Sequence, residues 1–206
     1  MKLYGSPTSP YVRKARVLIS EKNLPVEFVH EDPWPEDSPI PSRNPLGKVP
    51  ALEIDDGTYF FESIVIVNYL DHSDGKPLGP GEGTPDYWQG QWWQALGQGI
   101  LDAAVTRVVE SRRPEEKQMA EKREREEARI VRAVAAGEKA FKGDDYLVGG
   151  RYTLADLVLG VALQYVDFRY PHDWRSKAPK LAKWHAGIVA RKSFQETLPP
   201  GFTPPR

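Results

Sequence analysis

Asn44-Pro-Leu-Gly-Lys-Val-Pro-Ala-Leu-Glu53 is followed by Phe60-Phe-Glu-Ser63, nine residues after Ala51. The stretch reads as a loop, a proline-led strand, a turn at Asp56-Gly57, a second strand, and a helix opened by an acid and a hydroxyl. Val49-Pro50 admits two readings. Proline at the first position of a strand is ordinary, because that residue need not donate to the ladder. An X-Pro bond is also the one peptide bond a fold can hold cis for only about 0.5–1 kcal/mol, and a cis bond would let Val49 turn its N–H and C=O outward to an added, peptide-like strand. Glu62-Ser63 reads as a helix cap and equally as a carboxylate site. Free N–H groups and the helix dipole attract the anion there, Ser63 adds its hydroxyl, and Glu62 accepts from an α-ammonium.

Upstream, Lys2-Leu3-Tyr4 is a short strand, broken by Ser6-Pro-Thr-Ser-Pro10. Apolar Val12, Ala15, Val17 and Leu18 then space a short helix ending near Asn23, and Val26–His30 alternates as a second strand. Asp32 to Arg43 is a Pro-, Asp- and Ser-rich loop, and Ser63 to Leu70 is a third helix. Strand-helix-strand implies a parallel pair with a right-handed crossover, and the 51–61 hairpin adds an antiparallel edge. Thr8 or Ser9, at the first strand-helix junction, offers a hydroxyl that caps the helix or stabilises a bound thiolate by a charge-assisted hydrogen bond.

Downstream the pattern changes. Residues 1–75 form one expected domain, 76–85 a Gly- and Pro-rich linker, and 86–206 an all-helical domain. Its helices are expected over Asp86 to Ser111, Glu115 to Lys142, Thr153 to Tyr165 and Lys177 to Lys192. Thr153-Leu-Ala-Asp156 has the form of a capping box with Asp for Glu. The run Glu121–Arg129 reads as a solvated face laced by i,i+4 pairs. Trp88, Trp92 and Trp93 read as core or interface residues before pocket residues.

Composition narrows the chemistry. The 206 residues carry a net charge of −1, so no basic excess draws nucleic acid or an anionic membrane. No apolar run reaches the roughly 20 residues of a membrane span and no secretory leader is visible, so a cytoplasmic location is expected. There is no Cys, which excludes disulfides, thiolate metal sites and a protein-borne thiol nucleophile. Any sulfur must arrive with a ligand. His30, His72, His172 and His185 show no metal-ligand spacing, so no metal is expected.

Taken together, Thr8-Ser-Pro-Tyr-Val-Arg-Lys14, Asn44–Pro50, Phe61-Glu-Ser63 and Gly149–Asp156 make the chain resemble the cytosolic glutathione S-transferase superfamily over its whole length, most of all bacterial members with this Thr-Ser-Pro-Tyr-Val-Arg-Lys start. The resemblance implies an α/β plus all-α fold, a thioredoxin-like domain followed by a helical bundle. It implies glutathione as co-substrate, a homodimer, and a small electrophile bound in an interdomain cleft. Val49 would pair with the cysteinyl unit, Glu62 and Ser63 would hold the γ-glutamyl end, and Lys48 would assist. Ser9 is the favoured activator of the thiol. It aligns where omega-like members carry a catalytic Cys, while Thr8 falls nearer the Ser of theta-like members and Tyr4 near the Tyr of other classes. Asp102, Thr106, Arg107, Glu110 and Arg113 would face the co-substrate and favour a less apolar one. The alternative is a non-catalytic glutathione-binding or scaffold protein of the same fold; a Cys-dependent redox enzyme is excluded by composition.

Overall fold

A computed structural model describes residues 1–170 and 172–205. The chain divides into two units: Met1–Leu78 together with Lys192–Phe202, and a second built on Gly79–Arg191.

In the first unit, β1 (Lys2–Gly5) lies between β2 (Glu27–His30) and β3 (Ala51–Glu53), with β4 (Tyr59–Phe61) outside β3. β1 and β2 run parallel, and the β1–β3 and β3–β4 pairs are antiparallel. α1 (Pro10–Lys22) is the crossover between the parallel strands, and it packs against α3 (Ser63–His72). It starts where Ser9 caps the Val12 N–H and Pro10 pre-sets the first turn. It stops at Asn23, whose left-handed backbone (φ 50°) turns its N–H back onto Ile19 and Ser20. The loop expected over Asp32 to Arg43 contains one helical turn, α2 (Ile40–Arg43). Ile40, fully buried, packs with Tyr4 and Ala51.

In the second unit, α4 (Pro85–Ser111), α5 (Ala120–Ala140), α6 (Leu154–Arg169) and α7 (Pro179–Val189) form the bundle. α6 is its centre, and every residue from Leu154 to Val166 is buried. α4 crosses it closely at Gly97, where a Cβ would come within 3.0 Å of the Leu159 backbone nitrogen. The capping box is present. Asp156 accepts from the Thr153 N–H (2.9 Å) and also from Leu147 N–H and the Trp184 indole, while Thr153 accepts from Ala155 N–H.

Three details depart from the sequence reading. α5 begins at Ala120, after a 3-10 turn over Glu115–Lys117, because the Glu110 carboxylate captures the Met119 N–H (2.9 Å) and holds that backbone extended. The expected 177–192 helix ends at Val189, and a separate helix, α8 (Lys192–Glu196), packs with the first unit, which shortens the expected 86–206 domain. Fully buried Phe194 explains that return: its carbonyl accepts from Arg13 (3.1 Å), whose guanidinium also lies 5.6 Å over the Phe194 ring. Finally, the Glu121–Arg129 run is only partly a solvated face. Glu126, at 2% exposure, continues the buried stripe of Ile130, Val134 and Gly137, and Lys122 reaches across to Glu110.

Among the described residues no helix is long and apolar enough to cross a membrane.

Candidate functional site

Strand register assembles the site. Tyr4 is opposite Ala51, and Ala51 is opposite Phe61. The C-terminal ends of β1 and β4 and the start of β3 therefore lie at one end of the sheet. The segments at that end are Ser6–Ser9, which leads into α1; Val49-Pro50, the two residues just before β3; and Glu62-Ser63, which opens α3. Gly5 keeps the first two close, since a side chain there would collide with Val12 and press against the Val49 Cβ (3.3 Å).

The Val49–Pro50 bond is cis. Among the described residues neither the N–H nor the C=O of half-buried Val49 has a hydrogen-bond partner. A peptide group with both valences unused, just beyond the end of a central strand, can pair with the main chain of a peptide-like ligand. Lys48 is exposed beside it.

Glu62 sits at φ 63°, ψ 121°, a conformation that strains a residue with a Cβ. Its carboxylate is exposed, and no side chain caps the first turn of α3. Ser63 is only 3% exposed, and its hydroxyl makes no hydrogen bond among the described residues. An uncapped helix start, an unused hydroxyl and a free carboxylate together offer complementary charge for an amino-acid end.

The three hydroxyls considered as thiol activators differ. Ser9 Oγ accepts from the Val12 N–H (3.4 Å), which leaves its own O–H free to donate outward. Thr8 Oγ1 lies 3.2 Å from Ser6 Oγ. Tyr4 is buried and its hydroxyl donates to Glu53 at 2.5 Å. Burial first, and the Glu53 carboxylate second, push its pKa up to about 12. Arg43, ion-paired with Glu31, stacks 3.8 Å over the Tyr4 ring.

The polar residues expected to face a co-substrate are mostly engaged within the helical unit. Glu110 is 1% exposed and takes Met119 N–H, Lys122 and Arg113, all at 2.9–3.0 Å. The hydrogen bond from Lys122, then that from Met119 N–H, lower its pKa to about 2. Arg107 pairs with Glu127 (3.0 Å) and stacks on Tyr170 (3.7 Å). Asp102 accepts from Gln98 (2.9 Å). Of the five, only Glu110 is buried by the α4–α5 connection; Asp102 and Arg113 remain exposed. The tryptophans divide: Trp93 is core (1% exposed), against Phe141, while Trp88 and Trp92 are exposed. Among the described residues no cluster of His, Asp or Glu could hold a metal ion.

A residue the sequence reading left without a role stands behind Val49. Asn44, 1% exposed, donates through Nδ2 to the Lys48 carbonyl (2.7 Å) and accepts from the Leu46 N–H (2.9 Å). Its signal was present in Asn-Pro-Leu-Gly, an Asx-type turn.

A β-α-β-β-β-α unit joined to a helical bundle is the layout of the two-domain thioredoxin-like proteins. Residues 3–78 match the family model "Glutathione S-transferase, N-terminal domain", and residues 120–187 match "Glutathione S-transferase, C-terminal domain". The GST-like protein YibF of Escherichia coli K12 is 33% identical over 97% of this chain and 99% of its own. A glutathione S-transferase from Methylobacillus flagellatus, solved with glutathione bound, is 36% identical with a TM-score of 0.90, over 96% of this chain and 98% of that one. A glutathione transferase family member from Pseudomonas fluorescens Pf-5, solved with S-(propanoic acid)-glutathione, is 35% identical with a TM-score of 0.84, over 97% of this chain and 100% of that one. The chain belongs to the glutathione S-transferase family.

Proposed function

We propose that the protein is a glutathione transferase that binds glutathione at this end of the sheet and activates its thiol for attack on a small electrophile. The observation that carries the reading is the pairing of Val49's unused N–H and C=O with the unused Ser63 hydroxyl across the Ala51–Phe61 register. Glutathione matches that arrangement. Its cysteinyl peptide groups pair with Val49, its γ-glutamyl carboxylate takes Ser63 and the α3 N-terminus, its α-ammonium takes Glu62, and Lys48 stands by the peptide. Support comes from family membership and from relatives solved with glutathione or a glutathione conjugate.

In this reading the Ser9 O–H donates to the thiol sulfur. A charge-assisted bond of this kind favours the thiolate, and about 1.4 kcal/mol lowers a pKa by one unit. The thiolate attacks the electrophilic carbon and forms the thioether. The electrophile's leaving group departs with the electron pair, or a proton is taken up where the substrate is an unsaturated acceptor. Tyr4 is ill suited to the task, because its O–H is already donated in a hydrogen bond to the Glu53 carboxylate. With no Cys in the chain, no mixed disulfide forms on the protein.

A homodimer is part of the proposal. Ile64 (54% exposed) and Val65 (49%) on α3, and Trp88 (68%) and Trp92 (44%) on α4, are large apolar side chains left in water. Analytical ultracentrifugation checks it, with Trp88→Glu expected to shift the protein towards monomer.

The function is tested by isothermal titration with glutathione and by turnover of a panel of electrophiles. Binding with thioether formation is expected. Binding without turnover would replace the enzyme with a carrier, and absence of binding at millimolar glutathione would leave a scaffold.

A further inference from the structure

We propose that Asn44 is a positioning residue for the peptide ligand, aiming the Val49 N–H at the site by holding the carbonyl on the other side of the same peptide bond. The inference rests on the glutathione reading above and deepens it.

The Asn44 side chain lies inside the loop it closes. Its backbone N–H donates to the Ile40 carbonyl (2.8 Å), and its own carbonyl accepts from the Gly47 N–H (2.8 Å). Oδ1 accepts from Leu46 N–H, and Nδ2 donates to the Lys48 carbonyl at 2.7 Å. Four hydrogen bonds from one buried residue thus fix the backbone from Ile40 to Lys48.

The last of these bonds has a consequence at the next residue. The Lys48 carbonyl and the Val49 N–H belong to one planar peptide group. Only Val49–Pro50 is cis among the described bonds, so Lys48–Val49 is trans. In a trans peptide the C=O and N–H point in opposite directions. Drawing the carbonyl inward onto Asn44 Nδ2 therefore turns the Val49 N–H away from the loop, which is the direction in which it has no partner. The Val49 side chain packs against the buried cluster of Tyr4, Ile40 and Ala51, which blocks rotation of the peptide plane from the other side. Without the Nδ2 bond, the plane is held on one side only, and the Val49 N–H samples directions a ligand carbonyl cannot meet.

A purely structural role for Asn44 predicts lost stability with unchanged affinity. The positioning role predicts lost affinity in a folded variant. The variants are Asn44→Asp, which keeps the acceptor for Leu46 N–H and loses the donor to Lys48, and Asn44→Ala, which loses both. Isothermal titration with glutathione is run on the full chain alongside thermal midpoints. Glu110→Gln serves as a variant destabilised in the helical unit. The expected result is about ten-fold weaker glutathione binding by Asn44→Asp, the loss of one hydrogen bond's selectivity, and normal binding by Glu110→Gln. In turnover, KM for glutathione rises while kcat at saturating glutathione holds. Equal affinity of folded Asn44→Asp and wild type overturns the inference and leaves the glutathione reading standing. No binding by wild type overturns both. Should the variants fail to fold, the wild-type Val49 amide proton decides by NMR. It is expected to shift and to exchange more slowly when glutathione saturates, and an unchanged Val49 amide overturns the proposal.

Discussion

Ala51 sits directly opposite Phe61 in the β3–β4 ladder. This pairing puts Val49-Pro50 and Glu62-Ser63, separated by the whole hairpin in sequence, at the same end of two neighbouring strands. A slip of one residue would turn every side chain of β4 to the other face of the sheet and move Ser63 out of line with Val49. The site is thus a product of register, and its residues can be tested one at a time.

Ser9 has two jobs in this account, helix cap and thiol donor, and substitutions separate them. Ser9→Ala removes both, at about 1 kcal/mol of stability for the cap. Ser9→Gly costs only a few tenths of a kcal/mol as a cap, roughly, yet removes the hydroxyl. Both variants should raise the pKa of bound glutathione by about one unit, as expected for one lost charge-assisted bond. Thiolate absorbance across pH measures it, and turnover near neutral pH should fall with it. Ser9→Thr should retain both functions. Wild-type turnover by Ser9→Gly removes Ser9 from the mechanism.

Tyr4→Phe should leave turnover unchanged. The Tyr4 hydroxyl, kept protonated with its pKa pushed up to about 12, already donates its one O–H to Glu53. The variant should lose about 1 kcal/mol of stability from the missing hydrogen bond, read from denaturant unfolding. A fall in turnover larger than the change in folded fraction would return Tyr4 to the list of activators.

Glu62 combines a strained backbone with its proposed contact to the α-ammonium. Its backbone, at φ 63° and ψ 121°, is one glycine enters freely. Glu62→Gly should therefore stabilise the protein by about 1 kcal/mol while weakening glutathione binding, because the ammonium partner is gone. Glu62→Gln keeps the strain and should weaken binding with little change in thermal midpoint. Reduced stability in Glu62→Gly would show that the side chain supports the fold.

Glu110 ties the α4–α5 connection. Its carboxyl, lowered to about 2 from 4.5, contributes stability that is present above its unfolded value and is lost as pH falls towards 2. Glu110→Gln should be less stable than wild type at neutral pH, and the gap should close as pH drops from about 4.5 towards 2, the window over which the native carboxylate is protonated. Thermal unfolding across pH measures this. A gap that does not change with pH would assign Glu110's contribution to packing instead of charge.

Much of the site could be read from the chain because it is made of local chemistry. Val49-Pro50 is a bond only proline permits readily, Ser63 follows an acid at a helix start, and Thr153–Asp156 is a capping box whose members are three residues apart. What escaped the sequence depends on distant partners. Glu126 looks like one more surface acid until the stripe of Ile130, Val134 and Gly137 is followed back by four residues, and Glu110 shows its role only once Lys122 and Met119 are folded against it. Phe194 returns to the first unit because Arg13, 181 residues away in sequence, receives it. Asn44 has no role in the sequence alone; which carbonyl it holds is visible only in the fold.

The central claim is that glutathione lies across the end of the sheet between Val49 and Ser63 with its sulfur at Ser9. A crystal structure of the protein with glutathione tests it most directly. The account predicts the cysteinyl backbone paired with Val49, the γ-glutamyl carboxylate on Ser63 and the first turn of α3, and the sulfur within about 3.2 Å of Ser9 Oγ, hydrogen-bond reach. Glutathione bound elsewhere, or bound here with its sulfur directed away from Ser9 towards another hydroxyl, would contradict it.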